Sequence, residues 1–453
     1  METQNAAQKP LFTNRALLVL IWPLLVEQFL AVTVGMADTM MVSRAGEAAI
    51  SGVSLVDMIN VLIINLFAAL ATGGAVVVSQ YLGARRRDEA SRAASQLVLL
   101  SGLLGLAVGG LCLLGAGPIV RTIYGALEPD VFEACVVYLR ITALSYPFLA
   151  LYNAGAAQFR SMGNSRLSMR VSILMNLINV VGNAVCVFGL KMGVAGVAWP
   201  SVVSRAVAAV LILRAGANPE NTVCLDAASL HHVDTALAGR ILRIGIPSAF
   251  ENSLFQAGRI LVVAIITVFG TVQISANAVA NNLDGFSIIP GQAIGLAMIA
   301  VVGRAVGAQD TAQATAYTRK LMLWAYLALG VTAGSVLLFL RPILGLYALS
   351  DETLALAMLL IRLHAGFAIF MWPVAFVLPN ALRAAGDVNF TMVVSIISMV
   401  VWRLGFSYIL GLQMGWGAVG VWIGMIVDWV CRLTCFVARF ASGAWKTKYK
   451  PGA

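Results

Sequence analysis

Charged residues are scarce in this chain: Asp, Glu, Lys and Arg together make only 11% of 453 residues, while 60% are hydrophobic and the mean hydropathy is +0.89. A soluble globule carries about 25% charge, so that class is excluded and a polytopic membrane protein is expected. Histidine is scarcer still, with three in all. Two of them, His231 and His232, stand in a polar stretch and read as solvated residues rather than ligands. The six cysteines are scattered, and the one close pair, Cys431 and Cys435, lies a helical turn apart inside an apolar run. That pattern excludes a disulfide framework and gives no metal-site spacing, leaving small buried apolar side chains as the reading. No HExxH pair, GxSxG elbow or Walker sequence is present, so an enzyme is not expected and no cofactor is called for.

The formal charge of +10 would suggest nucleic acid in a soluble chain. Here the arginines cluster in short loops between apolar runs, which is topology information, and a nucleic-acid partner is rejected. With a window of about 20 residues, apolar runs fall near 16–42, 51–78, 93–115, 131–159, 167–188, 194–215, 239–269, 275–302, 318–342, 355–382, 388–411 and 417–442. The first run is too long for a signal-peptide core and lacks a small-residue cleavage site, so it is expected to stay as a span. Only helices satisfy every backbone group within one span, and the alternation of a membrane barrel is absent. The expected fold is therefore all-α, with twelve transmembrane helices in two pseudo-symmetric six-helix bundles. Loops after even-numbered spans carry Arg85, Arg86, Arg87, Arg160, Arg166, Arg304 and Arg383, whereas those after odd-numbered spans show little beyond Arg44, Arg121, Lys191 and Arg341. The positive-inside rule then puts both termini in the cytoplasm of a cell whose inner or plasma membrane holds the chain.

Two bundles follow from internal repetition. Pro23-x-x-x-Glu27-Gln28 recurs as Pro247-x-x-x-Glu251-Asn252, a shift of 224; Gly83-Ala84 recurs as Gly307-Ala308, and Gly193 with Gly196 as Gly417 with Gly420. Asp57 and Asn60 return with their chemistry exchanged, as Asn281 and Asp284. The segments expected are 1–213 as the N-terminal bundle, 214–238 as a cytoplasmic linker, and 239–453 as the C-terminal bundle with a basic tail. An even number of spans in each half gives both the same orientation, with a symmetry axis along the membrane normal, the arrangement of a carrier that alternates access.

Several ordered motifs resemble the MATE family of multidrug and toxin extrusion transporters: Asp38-Thr39-x-Met41 in the first span, "GGAVVVSQYLGA" after the second, "RSMGN" and "LRAAGD" after the fourth and tenth, Asn179-x-x-x-Asn183 in the fifth, and "GVAGVAWPSVVS" in the sixth. The resemblance covers about residues 12–442. It implies cation-coupled export of cationic or amphipathic drugs or metabolites, driven by protons or sodium. It also maps Asp38, Asn179, Asn183 and Ser201 onto the family's N-bundle cation or proton site. The residues agree, since the spans place all four in one layer of the outer half, and a carboxylate among amides and a hydroxyl can hold a proton or a hard cation. The alternative for Asp38 is a neutral interhelical hydrogen bond. Glu27 and Glu251, with neighbours Gln28 and Asn252, lie near mid-membrane as candidate substrate contacts that would give a basic drug its counter-charge; helix packing is the alternative. Sodium-coupled NorM-like members carry C-bundle acids in the seventh and tenth spans. The tenth span here has none from Gly366 to Pro379, which moves weight to Asp38 and favours protons. Asp57, Asp284, Arg259, Arg403 and Asp428 are intramembrane charges expected to pair across helices. A lipid-linked oligosaccharide flippase of related architecture is the alternative function. The expected partners are a small cationic or amphipathic substrate and the bilayer, with the protein acting as a monomer.

Overall fold

The computed structural model describes residues 10–42, 46–226, 228–347 and 349–449; Lys9, Arg44 and the side chain of Thr39 fall outside the described residues. Twelve helical spans follow the apolar runs: α1 (Asn14–Val42), α2 (Glu47–Gly83), α3 (Arg87–Tyr124), α4 (Pro129–Ser161), α5 (Ser165–Gly189), α6 (Ala195–Gly216), α7 (Thr235–Thr267), α8 (Thr271–Ser287, continued by Ile289–Gly307), α9 (Thr311–Leu338), α10 (Asp351–Ala384), α11 (Val388–Gln413) and α12 (Gly417–Ala441). Their outer faces carry bare apolar side chains such as Trp22, Leu114, Leu338 and Phe370, which only lipid can cover. Side-chain caps appear at the starts of α7, α9 and α10. Asp234 accepts from the backbone of Ala236 and Leu237, Asp310 from Gln313, and Ser350 from Thr353, satisfying donors that the first helical turn leaves unpaired.

Regular α-helix gives way to wider π-helical turns at Val185–Gly189 in α5, Pro373–Val377 in α10, and Ser398–Leu404 and Ser407–Gln413 in α11. Each such run inserts residues into the turn and rotates the side chains that follow. The repeat shift of 224 maps 185–189 onto 409–413, so one π run is shared between the halves. The run at Ser398–Leu404 maps onto regular α-helix and belongs to α11 alone.

The two halves lean on each other by exchanged helices. Leu17, Leu20 and Leu24 of α1 pack with Ala297, Val301 and Ala305 of α8, while Ile241 and Ile244 of α7 pack with Leu70 and Val77 of α2. Their closest approach lies at the end that carries the start of α1 and the interhalf linker. There α2 and α8 cross backbone to backbone: a Cβ on Gly83 would collide with the carbonyl oxygen of Arg304, and one on Gly307 with that of Gln80. Gln80 and Arg304 are repeat partners, as are Gly83 and Gly307, so the crossing is reciprocal about a pseudo-two-fold axis. The side chains repeat the reciprocity, with Gln80 Nε2 donating to the Ala384 carbonyl at 2.8 Å and Arg304 Nη2 to the Ser161 carbonyl at 2.8 Å. Arg160, Arg304 and Arg383 therefore differ from loop cations: all three sit inside helix ends, and Arg304 joins the halves.

The segment between α6 and α7, residues 217–234, is fastened along α3. The backbone N–H of Cys224 donates to Ser91 Oγ at 3.1 Å and that of Asp226 to Ser95 Oγ at 2.8 Å. Gln96 Nε2 donates to the carbonyls of Ser229 and His232, and its oxygen accepts from the N–H of Asp234. The hydroxyl of Ser229 and neighbouring N–H groups hold the Asp226 carboxyl below its usual range. His231 and His232 themselves are exposed.

Candidate ion and substrate sites

In the N-terminal half, α1, α5 and α6 bring the four expected polar residues into one chain of hydrogen bonds. Asn179 and Asn183 are four apart on α5 and so share a helix face. Asn183 Nδ2 donates to Asp38 Oδ1 at 2.7 Å and to Asn179 Oδ1 at 3.3 Å, and Asn179 Nδ2 donates to Ser201 Oγ at 2.9 Å. Asn183 is fully buried, with its own oxygen left unpaired. The set holds one carboxylate, and among the described residues no cluster of three His, Cys, Asp or Glu side chains is placed to hold a metal. Its chemistry suits a proton on Asp38, or a monovalent hard cation drawing on Asp38 and the free Asn183 oxygen.

A second polar group stands behind it. Asn60 Nδ2 donates to Asp57 Oδ1 at 2.9 Å, the Tyr138 hydroxyl donates to the same oxygen at 3.2 Å, and the Tyr146 hydroxyl donates to Asn60 Oδ1 at 2.6 Å. Arg205 of α6 donates to Ser145 Oγ at 2.6 Å and lies within electrostatic reach of both Asp57 and Asp38. Asp57 is thus held by neutral donors instead of the cross-helix ion pair expected for it. Sequence reasoning passed over Arg205, although a lone arginine four residues beyond Ser201 in an apolar run was a visible signal.

Glu27 and Glu251 take equivalent places, each buried to 7% exposure and each matched by an arginine of its own half. Glu27 accepts from Ser168 Oγ at 2.5 Å and faces Arg160 Nη1 at 3.8 Å. Glu251 accepts from Ser395 Oγ at 2.5 Å and from Arg383 Nη2 at 2.6 Å. Arg160 and Arg383 are themselves repeat partners, at a shift of 223. Gln28 and Asn252 are half-buried beside them. Each carboxylate thus already faces an arginine of its own half and accepts from a serine hydroxyl.

The C-terminal half continues from Glu251 into an arginine-rich network. Arg432 donates from Nη1 to Ser395 Oγ at 2.9 Å and from Nε to Asp428 Oδ1 at 2.9 Å, and Asp428 also accepts from the Ser398 hydroxyl. Arg403 Nη1 stands 3.8 Å from Asp428 Oδ2. Asp284 Oδ1 lies 2.8 Å from His364 Nε2 without a hydrogen bond between them, and the imidazole packs edge-on against Trp422 and Trp429. Of the pairing expected across helices, Arg403 shows it with Asp428, whereas the close contact of Asp284 is with His364 and not with another of those charges. The main partner of Asp428, however, is Arg432, four residues on in the same helix.

The family model described as MatE matches residues 23–185 and again 247–409, the second match displaced by 224 residues from the first. An uncharacterized transporter, YisQ, of Bacillus subtilis is 29% identical over 98% of this chain and 98% of its own. A probable multidrug resistance protein, NorM, of Thermotoga maritima is 25% identical over 96% of this chain and 94% of its own. Among solved structures, a MATE in complex with MaL6 superposes with a TM-score of 0.89 at 21% identity, covering 95% of this chain and 97% of that one. An outward-facing conformation of a multidrug resistance MATE family transporter of the MOP superfamily gives a TM-score of 0.89 at 20% identity, over 95% and 96%. At these identities the structural likeness speaks to the fold.

Proposed function

Because the chain belongs to the MatE family, and so is a multi-pass membrane transporter, we propose that it is a cation-coupled antiporter exporting amphipathic small molecules by alternating access, with Asp38 as the coupling site. The observation that carries this reading is the setting of Asp38: one carboxylate among Asn183, Asn179 and Ser201, with the two amides donating to oxygen atoms of the set and the Ser201 hydroxyl donating to the Val197 carbonyl. Sodium needs several oxygens at once, whereas a proton needs one carboxylate, so protons are the favoured ion. Protonating Asp38 removes a buried charge from the interface of α1 with α5 and changes which arrangement of the halves is preferred. A cationic cargo would meet Glu27 or Glu251 by displacing Arg160 or Arg383.

The positive-inside rule, applied to the arginines gathered at the end that holds the closed crossing of α2 on α8, supports a cytoplasmic position for both termini and with them for that crossing. The crossing then closes the cytoplasmic side, and the unit of transport is the monomer. The test is uptake of an amphipathic cationic dye into proteoliposomes under separately imposed gradients. A pH gradient in sodium-free buffer is expected to drive transport, with added sodium changing little. Transport that survives collapse of the pH gradient but stops without sodium overturns proton coupling; absence of gradient-driven transport under either ion overturns the antiporter reading.

A further inference from the structure

The shift of 224 carries Asn179 of the ion site onto Arg403, Asn183 onto Ser407, Ser201 onto Met425 and Asp38 onto Val262. The C-terminal counterpart of the ion site therefore has no carboxylate and gains a guanidinium. Arg403 sits in the π-helical run that α11 alone possesses. It is 9% exposed, its Nε is buried without a hydrogen-bond partner, and its ion pair with Asp428 spans 3.8 Å, beyond hydrogen-bond length. Arg432 and the Ser398 hydroxyl both bond Asp428 Oδ1, and Oδ2, the oxygen nearest Arg403, stays short of hydrogen-bond contact with it. A buried arginine with unmet donors is costly unless an anion or water completes it.

Arg259 stands near Arg403, close enough for the two like charges to repel. At 100° per residue, Arg259 shares the face of α7 that holds Ser248, Glu251, Phe255, Val262 and Ile266. Ser248, Glu251, Val262 and Ile266 are buried there, whereas Arg259 is exposed. An exposed arginine on a face whose other members are buried is tolerated at that depth only beside water or a partner. Phe255, one turn earlier, lays its ring 5.6 Å from the Arg403 guanidinium and 5.5 Å from that of Arg432. Three arginines, Arg259, Arg403 and Arg432, thus stand against two acids, Asp428 and Asp284. The neighbourhood carries excess positive charge beside an aromatic surface.

We infer that Arg403 and Arg259, with Phe255, form a subsite for the anionic oxygen group of an amphipathic substrate, a carboxylate or phosphate joined to an aromatic or apolar body. A planar guanidinium with free donors matches such a group in two-point fashion. The inference rests on the export reading only for calling the bound molecule cargo; binding itself is independent of it.

The test compares rhodamine B, which bears a free carboxylate, with its ethyl ester, which lacks one, by equilibrium binding to the purified full-length protein in phospholipid-free detergent. The acid is expected to bind at least tenfold more tightly than the ester. Arg403→Gln should remove most of that preference while leaving ester binding within twofold, Arg259→Gln should reduce it less, and Arg403→Lys should restore part of it. Equal affinity of acid and ester for the wild type, or equal losses of both in Arg403→Gln and Arg403→Lys, overturns the subsite. Displacement of the acid by phosphatidylglycerol would support the anionic site and name a lipid as its source; failure to displace would support it with a soluble source. Wild-type discrimination in binding without gradient-driven movement of either dye would sink the antiporter reading while leaving the subsite standing.

Discussion

The two halves share a backbone plan and differ in what they bury. In the N-terminal half the acids Asp38 and Asp57 are met mainly by neutral donors, from Asn183 to the first and from Asn60 and Tyr138 to the second. In the C-terminal half Glu251 and Asp428 are met by guanidinium groups, from Arg383 and Arg432. A carboxylate held by neutral groups can take up and release a proton without stranding a partner charge. One locked to an arginine cannot do so cheaply, because protonation leaves the cation buried and unpaired. The comparison divides the labour: ion exchange suits the first half, and a fixed charged framework suits the second.

Exchanging the titratable group tests this division most severely. Asp38→Asn keeps the volume and the contact with Asn183, so the protein is expected to insert and fold while gradient-driven dye transport falls to the level of empty liposomes. Wild-type transport by that variant would move the coupling site elsewhere. Next in size is Asp428→Asn, which strands Arg432 and Arg403; a loss of about 3–5 kcal/mol is expected, read as a large fall in the thermal midpoint of the detergent-solubilised protein. Asp57→Asn, whose partners are neutral, should cost about 1–2 kcal/mol, and equal losses at the two aspartates would erase the contrast drawn here.

A finer test sets Glu251→Gln against Glu27→Gln. The arginine contact is 2.6 Å in the first and 3.8 Å in the second, so the midpoint should fall further for Glu251→Gln, and a reversed order would show that distance does not decide the strength of these pairs. Smallest of all, Gln96→Leu removes three hydrogen bonds that fasten the linker to α3. A cost near 1 kcal/mol is expected, together with faster proteolysis between α6 and α7.

The spans and their two-fold repetition were readable from residues because hydropathy over about 20 residues is a coarse signal that local detail does not blur. The meeting of Asp38, Asn179, Asn183 and Ser201 was readable too: the spacing of Asn179 and Asn183 fixes a helix face, and span direction brings Asp38 and Ser201 to the same level. The C-terminal network was not. Arg160 and Arg383 fall at the ends of apolar runs, where composition alone cannot tell a loop cation from a helix-end residue turned inward onto Glu27 or Glu251. Arg403 stood out as an intramembrane charge, but its neighbours were hidden by the π-helical run at Ser398–Leu404, since wheels drawn at 3.6 residues per turn misplace side chains beyond such a widening. The Asp428–Arg432 pair, by contrast, carried the four-residue spacing of an intrahelical ion pair and was open to discovery.

The crossing of α2 on α8 has a consequence for assembly. Gly83 seats on Arg304 while Gly307 seats on Gln80, which is an isologous contact, the kind that two copies of one subunit make in a C2 dimer. The covalent connection between the halves is then not what gives the interface its specificity; the matched surfaces do that. A chain severed between Pro219 and Glu220, in an exposed stretch ahead of the part fastened to α3, should yield two six-span fragments that co-purify when expressed together and separate when Gly307 is replaced by leucine.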